Sequence, residues 1–226
     1  MMKILAIGPH PDDVEIGMGG MILALRTRGH DVTICDLTNG EPTPIGTPER
    51  RAREAAEAAR ILGVPRITLE MPNRYLTDSV ENRMRVAEVI RRVRPEILFI
   101  PYWVDAHPDH VAAAALAEAS RFYAKLTKTT IPGEPFLPPR VLHFLTTHYR
   151  LMPEVAFIFD ISDHLDRKID AIRAYTSQFG PERGNEQFFD QLRTWNRYYG
   201  DLIGRKYGEP FACREEIGLS GLDQFV

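Results

Sequence analysis

The amino-acid sequence predicts an α/β fold in which a doubly wound, mostly parallel sheet carries helices on both faces. Two observations support this prediction. The first 124 residues alternate between short apolar runs and longer segments with helical periodicity. The short runs are rich in β-branched residues, as strands covered on both faces are. Strands that alternate with helices form right-handed βαβ crossovers, which produce a parallel sheet of the Rossmann-like kind.

Four strands and four helices are predicted in the first half of the chain. The strands cover residues 3–8, 31–38, 66–72 and 96–102, and the helices cover 16–28, 48–62, 80–94 and 109–124. Boundary signals support the helices. Thr47 followed by Pro48 suits an N-cap and first helical position, while Gly29 and Gly63 suit C-terminal stops.

The second half is less regular. A proline-rich connection over 131–140 leads to predicted strands at 141–147 and 155–162 and predicted helices at 163–178 and 185–206. No repeat, low-complexity tract or flexible linker separates this half from the first. We therefore expect one domain over residues 1–226, in which the second half adds strands and a helical cap.

Composition narrows the class of protein. The chain has 226 residues, 44% of them hydrophobic, and a net charge of -3 without a sustained basic stripe, so nucleic acid is not the expected partner. No window approaches about 18 uninterrupted apolar residues, which argues against a membrane protein. Cys35 and Cys213 lie far apart and in no CxxC pattern. We expect a cytoplasmic protein with reduced thiols.

Two similar tetrapeptides follow predicted strands. "HPDD" (10–13) comes after the first strand and "HPDH" (107–110) after the fourth. Ligands of such sheets bind at the carboxyl ends of the strands, at the point where the strand order reverses. If these two strands are neighbours there, both tetrapeptides reach one crevice.

These residue types can build a catalytic metal site. Zinc is held by imidazole nitrogens and carboxylate oxygens, typically with three protein ligands and one open position. His10 and His110 supply the imidazoles, and by spacing alone either Asp12 or Asp13 completes the set. The remaining aspartate is placed to act as general base. Ferrous iron accepts the same ligands, so Zn²⁺ is expected and Fe²⁺ is an alternative.

The remaining residues of "HPDH" suit acid chemistry. His107 is placed to donate a hydrogen bond or a proton on the other side of the reacting centre, and Asp109 is available to orient the His107 ring. A metal, a base and an acid together indicate a hydrolase.

Alternative interpretations exist for these motifs. A single His-Pro-Asp can be a turn, but two at the same edge of the sheet favour a shared site. The glycines after "HPDD" suggest a dinucleotide fingerprint only weakly, because "PHPDD" occupies the turn where a pyrophosphate would bind. We interpret Gly17, Gly19 and Gly20 as allowing close packing of the first helix. Phosphoester hydrolysis is a second enzymatic alternative, although it usually needs two metals.

With "PHPDDVEIGMGG" and "DAHPDH", the chain resembles the LmbE-like, or PIG-L, superfamily of zinc-dependent N-acetylglucosaminyl deacetylases. The resemblance extends through "LTNGE" (37–41), "GTPERRAREAAEAARILG" (46–63), "AYTSQF" (174–179) and "YGEPF" (207–211). It is strongest to the branch that deacetylates the N-acetylglucosaminyl-malate precursor of bacillithiol. Other members act on other N-acetylglucosamine compounds, such as chitooligosaccharides.

The resemblance implies a role for each motif residue. It implies that the zinc ligands are His10, Asp13 and His110, that Asp12 is the general base, and that His107 assists the tetrahedral intermediate and the leaving amine.

Substrate contacts are predicted on weaker grounds. The resemblance suggests that Arg51 reaches the sugar or its aglycone, although the helical pattern alone predicts an exposed, solvated Arg51. Glu41 is a substrate-contact candidate because it lies on a strand-end loop. Asp105 could position His107 or bind a sugar hydroxyl.

The expected partner is a small amino-sugar substrate. We also expect a homo-oligomer. Several aromatic residues of the second half could contribute to an interface, but a core role is favoured for them: Phe188, Phe189, Trp195 and Tyr198.

Overall fold

A seven-stranded sheet forms the centre of the protein. In a computed structural model, which describes residues 1–146, 148–185 and 187–218, the strands are β1 (Lys3–Gly8), β2 (Asp31–Thr38), β3 (Arg66–Met71), β4 (Ile97–Pro101), β5 (Arg140–Phe144), β6 (Phe157–Asp160) and β7 (Gly208–Ala212). Their order across the sheet is β3-β2-β1-β4-β5-β7-β6. The first five strands are parallel, and β7 is antiparallel to both of its neighbours. The predicted α/β class is confirmed.

Helices cover both faces of this sheet. They are α1 (Asp13–Thr27), α2 (Pro48–Leu62), α3 (Val80–Val93), α4 (Pro108–Ala124), α5 (Leu165–Arg173), α6 (Thr176–Phe179) and α7 (Gln187–Leu202), with a 3₁₀ turn at Pro181–Arg183. Among the described residues, no helix combines the length and apolar character needed to cross a bilayer.

Side-chain alternation along β1 separates two cores. Ile4 and Ala6 pack into the cluster that includes α1, whereas Leu5 and Ile7 pack into the cluster built with α3 and α4. Successive residues of a strand point to opposite faces, so a strand that is apolar at every position is buried on both. This explains why β1 is a continuous apolar run.

The helix boundaries follow from local chemistry. The Thr47 hydroxyl accepts a hydrogen bond from the backbone N–H of Arg50, and Gly63 adopts a left-handed conformation with φ 71° at the end of α2, as predicted. Helix α1 begins at Asp13, three residues before the predicted start, because the backbone oxygen of Asp12 already accepts the N–H of Ile16. The first turn of α1 thus contains a predicted metal ligand.

The glycines of α1 allow close packing, as interpreted from the sequence. A Cβ atom on Gly17 would lie 2.5 Å from a ring carbon of Phe144, and one on Gly20 would lie 2.7 Å from Ile161. Because interiors are close-packed, a methyl group at either position would displace its neighbour.

The second half departs from the prediction in two ways. Strand β7 was not predicted, since Gly208 and Pro210 weaken a strand signal. The predicted helix over 163–178 is instead α5, a break and the short α6. The core role favoured for four aromatic residues is also corrected in part: Trp195 and Tyr198 on α7 are exposed, while Phe188 and Phe189 are half-buried.

Candidate active site

A cavity of about 900 Å³ opens at the carboxyl edge of the sheet. β1 and β4 are paired neighbours, so the loops that follow them meet at the centre of this edge, as predicted. The loops after β2, β3 and β5 complete the rim, and α7 supplies an outer wall. Residues from these parts that line the cavity include His10, Gly40, Arg74, His107, His148 and Trp195.

Asp13 lies between two histidines. Its Oδ2 atom is 3.1 Å from Nδ1 of His10, and its Oδ1 atom is 3.3 Å from Nε2 of His110. The three potential ligand atoms lie within 4.8 Å of one another, and all three side chains are buried. Spacing left open which aspartate joins the histidines, and the geometry brings Asp13 rather than Asp12 to that position.

The other ring nitrogen of each histidine contacts a second carboxylate. Nε2 of His10 is 3.2 Å from Oδ2 of Asp109, and Nδ1 of His110 is 2.8 Å from Oδ2 of Asp105. Metal-binding histidines characteristically donate their other ring N–H to such an acceptor, which sets the tautomer and the ring orientation. Each ring therefore directs its remaining nitrogen toward Asp13.

This donor set fits a divalent cation. Two imidazoles and one carboxylate in a three-ligand arrangement are the donors that zinc and ferrous iron accept. Burial acts to lower the pKa of His10, but Asp109 and Asp13 outweigh it and raise that pKa to about 9. The same balance, with Asp13 and Asp105, raises the pKa of His110 to about 10. The carboxylates thus stabilise positive charge at this position.

Asp109 does not orient His107 through its carboxylate, contrary to the expectation from the sequence. The carboxylate of Asp109 contacts Nε2 of His10 and accepts hydrogen bonds from the backbone N–H groups of Arg74 and Leu76. The backbone N–H of Asp109 instead donates to Nδ1 of His107 at 3.2 Å. Since that nitrogen accepts, we assign the proton of the neutral His107 ring to Nε2.

Asp12 occupies a strained position beside the metal triad of His10, Asp13 and His110. Its φ angle is 117°, a region that non-glycine residues rarely adopt, and such outliers often mark functional sites. Burial raises the pKa of Asp12 to about 7, while the charge of Arg51 acts in the opposite direction. Its Oδ2 atom lies 3.3 Å from Nη2 of Arg51.

Arg51 is buried, although the helical pattern alone predicted exposure. Its side chain is 2% exposed, and its guanidinium group donates to the backbone oxygen of Pro11 and stacks 5.2 Å over the ring of Tyr175. It also lines the cavity, and its Nε and Nη1 atoms have no hydrogen-bond partner among the described residues. A buried cation with unpartnered donors can bind an oxygen of a ligand.

Glu41 and Asp105 lie behind the cavity wall. Neither lines the cavity, and both are buried. The carboxylate of Glu41 accepts the backbone N–H and the hydroxyl of Thr43 and lies 3.9 Å from Nε of Arg51. Asp105 accepts the backbone N–H of His107 at 3.0 Å, which agrees with one of the two roles predicted for it, and its Oδ2 atom contacts His110. The positions of Glu41 and Asp105 suit support of neighbouring residues rather than direct contact with a substrate.

His148 is a site residue that the sequence analysis missed. It follows β5, and its ring centroid lies 5.0 Å from that of His110 and 5.4 Å from that of His107. No motif marks it. Its position after a strand could have identified it, because ligands bind at the carboxyl ends of parallel strands. β5 is paired with β4, so its carboxyl end reaches the same edge of the sheet as the two tetrapeptides.

Comparison with known proteins identifies the family. The family model described as PIG-L, GlcNAc-PI de-N-acetylase, matches residues 5–120, which contain both tetrapeptides and more than half of the chain. The chain belongs to the PIG-L family. This PIG-L protein is therefore an N-deacetylase, an enzyme that hydrolyses amide bonds.

Individual relatives of this PIG-L protein cover most of its length. The diacetylchitobiose deacetylase of Thermococcus kodakarensis is 35% identical over 92% of the chain and 81% of the relative. A Bacillus anthracis protein named "Probable N-acetyl-alpha-D-glucosaminyl L-malate deacetylase 2" is 28% identical over 78% of the chain and 81% of the relative. A conserved protein from Thermus thermophilus, whose crystal structure is known, is 37% identical in sequence. The two structures match with a TM-score of 0.88 over 97% of each chain.

Proposed function

We propose that this protein removes the acetyl group from an N-acetylglucosamine conjugate, using a divalent metal held by His10, Asp13 and His110. The observation that carries the proposal is Asp13 between two histidines that are each backed by a further carboxylate. A divalent cation held by these residues would lower the pKa of a coordinated water and polarise a carbonyl oxygen.

The chain's own residues can manage the protons of the reaction. Asp12 lies next to Asp13 and accepts the proton of the attacking water as general base. Nε2–H of His107 donates to the acetyl oxygen as negative charge develops on it. The water oxygen bonds to the acetyl carbon, the carbon–nitrogen bond breaks as the proton held by Asp12 passes to the amine nitrogen, and acetate leaves after its carboxyl group ionises. Arg51 holds Asp12 and the loop at Pro11 in place.

We propose a disaccharide of the diacetylchitobiose type as the first candidate substrate. A relative named for that activity is 35% identical over 92% of the chain. Three aromatic side chains, Phe179, Phe188 and Trp195, are among the residues that line the cavity. Flat apolar side chains beside a few polar groups suit a second sugar ring next to the one that is deacetylated.

The malate conjugate, which the sequence resemblance favours, is the second candidate. Besides Arg51, three arginines line the cavity, namely Arg74, Arg150 and Arg183. The Nε atom of Arg183 is buried without a hydrogen-bond partner among the described residues. A substrate carboxylate would pair with such a donor.

A substrate panel tests both candidates. Acetate and free amine would be measured for N-acetylglucosamine, its malate conjugate and N,N'-diacetylchitobiose, with chelator and after return of Zn²⁺ or Fe²⁺. We expect metal-dependent, stoichiometric acetate release, greatest for the disaccharide. Activity that survives complete metal removal, or release of phosphate from phosphoesters without acetate release, would contradict the proposal.

A further inference from the structure

His148 lies at the cavity with Nδ1 of its ring in contact with Asp105 and with no hydrogen-bond partner for Nε2 among the described residues. Its side chain is 55% exposed, and it is among the residues that line the cavity. Four of the seven histidines of the chain line this cavity: His10, His107, His110 and His148. The first three lie in the two tetrapeptides, whereas His148 has no role in the function proposed above.

Asp105 holds His148 at two points. The backbone N–H of His148 donates to Oδ1 of Asp105 at 3.0 Å, and Nδ1 of the ring lies 3.2 Å from the same oxygen. That oxygen also accepts the backbone N–H of His107 at 3.0 Å. An oxygen already facing two backbone donors acts as an acceptor toward the ring as well. We therefore assign the ring proton of neutral His148 to Nδ1, which leaves Nε2 with a lone pair.

His107 and His148 thus have opposite hydrogen-bonding character. Neutral His107 carries its proton on Nε2 and is a donor, because its Nδ1 accepts from the backbone of Asp109. Neutral His148 is an acceptor at Nε2. An acetyl oxygen can only accept, so it matches His107. The sugar hydroxyl groups can donate, so they match His148.

We propose that His148 is a substrate-binding residue whose Nε2 accepts a hydrogen bond from a hydroxyl group of the sugar, with Asp105 setting its tautomer. The inference rests on the proposed function, since it assumes a hydroxylated sugar in this cavity. Asp105 then orients two residues, because its carboxylate contacts Nδ1 of both His110 and His148. Correct placement of the sugar hydroxyl is thereby coupled to correct placement of a metal ligand.

A metal-binding role is the alternative for His148. Asp105, His110 and His148 could offer ligand atoms within 4.8 Å of one another. In the structure, however, Nδ1 of both rings faces Asp105 as a donor, and Nε2 of His110 already faces Asp13. The hydroxyl-binding role keeps all of these contacts.

The test is a double-mutant cycle that combines replacement of His148 with removal of single hydroxyl groups from the ligand. Calorimetry at pH 8 would measure binding of N,N'-diacetylchitobiose and of analogues that lack the 3-, 4- or 6-hydroxyl of the reacting ring. The protein would carry Asp12→Asn to prevent turnover, with or without His148→Phe. We expect one deoxy analogue to bind about 3- to 10-fold more weakly to the chain that retains His148. The same analogue should show no loss in the His148→Phe chain.

Matched measurements separate the outcomes. His164→Phe, at a histidine that precedes α5 and does not line the cavity, should leave the hydroxyl dependence unchanged. Equal losses with and without His148 for every analogue would overturn the inference, as would absence of sugar binding. Metal content lowered by His148→Phe as far as by Asp13→Asn would show a metal ligand instead. Acetate release by the unmodified enzyme tests the proposed function separately.

Discussion

Nη2 of Arg51 lies 3.3 Å from Oδ2 of Asp12, so a buried cation is paired with the strained aspartate beside the metal triad. The same guanidinium nitrogen donates to the backbone oxygen of Pro11. Arg51 thus contacts both the side chain of Asp12 and the peptide unit before it. This double contact explains how the loop keeps a φ of 117° at Asp12, because neighbouring structure must hold such a backbone in place.

Replacement of Arg51 should therefore impair the reaction more than the fold. Arg51→Met removes charge-assisted hydrogen bonds, each worth about 1.5–3 kcal/mol, so we expect kcat/KM to fall about 10- to 150-fold. Arg51→Lys keeps the charge but cannot form both contacts in the same geometry, and it should give an intermediate loss. Steady-state kinetics and Tm would be measured for both variants. Wild-type kinetics in Arg51→Met would contradict this role.

Asp12→Asn should separate metal binding from turnover. The side chain keeps its size but loses its ability to take a proton, so we expect kcat to fall about 10²- to 10⁴-fold. Metal content, measured by mass spectrometry, should stay near the wild-type value because Asp12 does not lie between the histidines. Asp13→Asn is the matched control and should lose metal. Full activity in Asp12→Asn would reject it as the base.

Asp109→Asn distinguishes the two histidines that this residue could support. Since its carboxylate contacts His10, we expect the affinity for metal to fall about 10- to 100-fold. Competition with a chromogenic chelator would measure that change, and kcat would be measured at saturating metal. A lower kcat with unchanged metal affinity would show that Asp109 acts on His107 after all.

A buried ion pair links β7 to α1 and α5. Nζ of Lys168 lies 2.8 Å from Oε1 of Glu209, both side chains are at most 1% exposed, and the Glu209 carboxylate also accepts the backbone N–H groups of Gly20 and Met21. These N–H groups follow a break in α1 at Met18, and the N–H groups at the start of a helical segment need partners outside it.

Lys168→Met should consequently be strongly destabilising. It leaves the charge of Glu209 buried without its cation, a change that typically costs about 3–5 kcal/mol. Urea denaturation would measure the free energy of unfolding. In the double variant Lys168→Met/Glu209→Gln the unpaired charge is absent, so part of the loss should be recovered. A double variant as unstable as the sum of the single changes would contradict this explanation.

Much of the fold and the centre of the site follow from local patterns. The apolar runs predicted β1 to β4, and "HPDD" and "HPDH" after the first and fourth predicted strands placed both tetrapeptides at one edge of the sheet. The structure confirms that β1 and β4 are neighbours. β7 escaped prediction because Gly208 and Pro210 weaken its strand signal, while its pairing partners lie about 50 and 70 residues earlier in the chain.

The sequence by itself determined the parallel sheet, the edge at which ligands bind and the residue types available there, because periodicity and strand-end position are local properties. Only the tertiary structure decided which side chains pair. It placed Asp13 between the histidines, gave Asp109 to His10, buried Arg51 against Asp12 and brought His148 to Asp105. These pairings join segments that are distant in sequence, and their geometry depends on how the whole sheet and its helices pack.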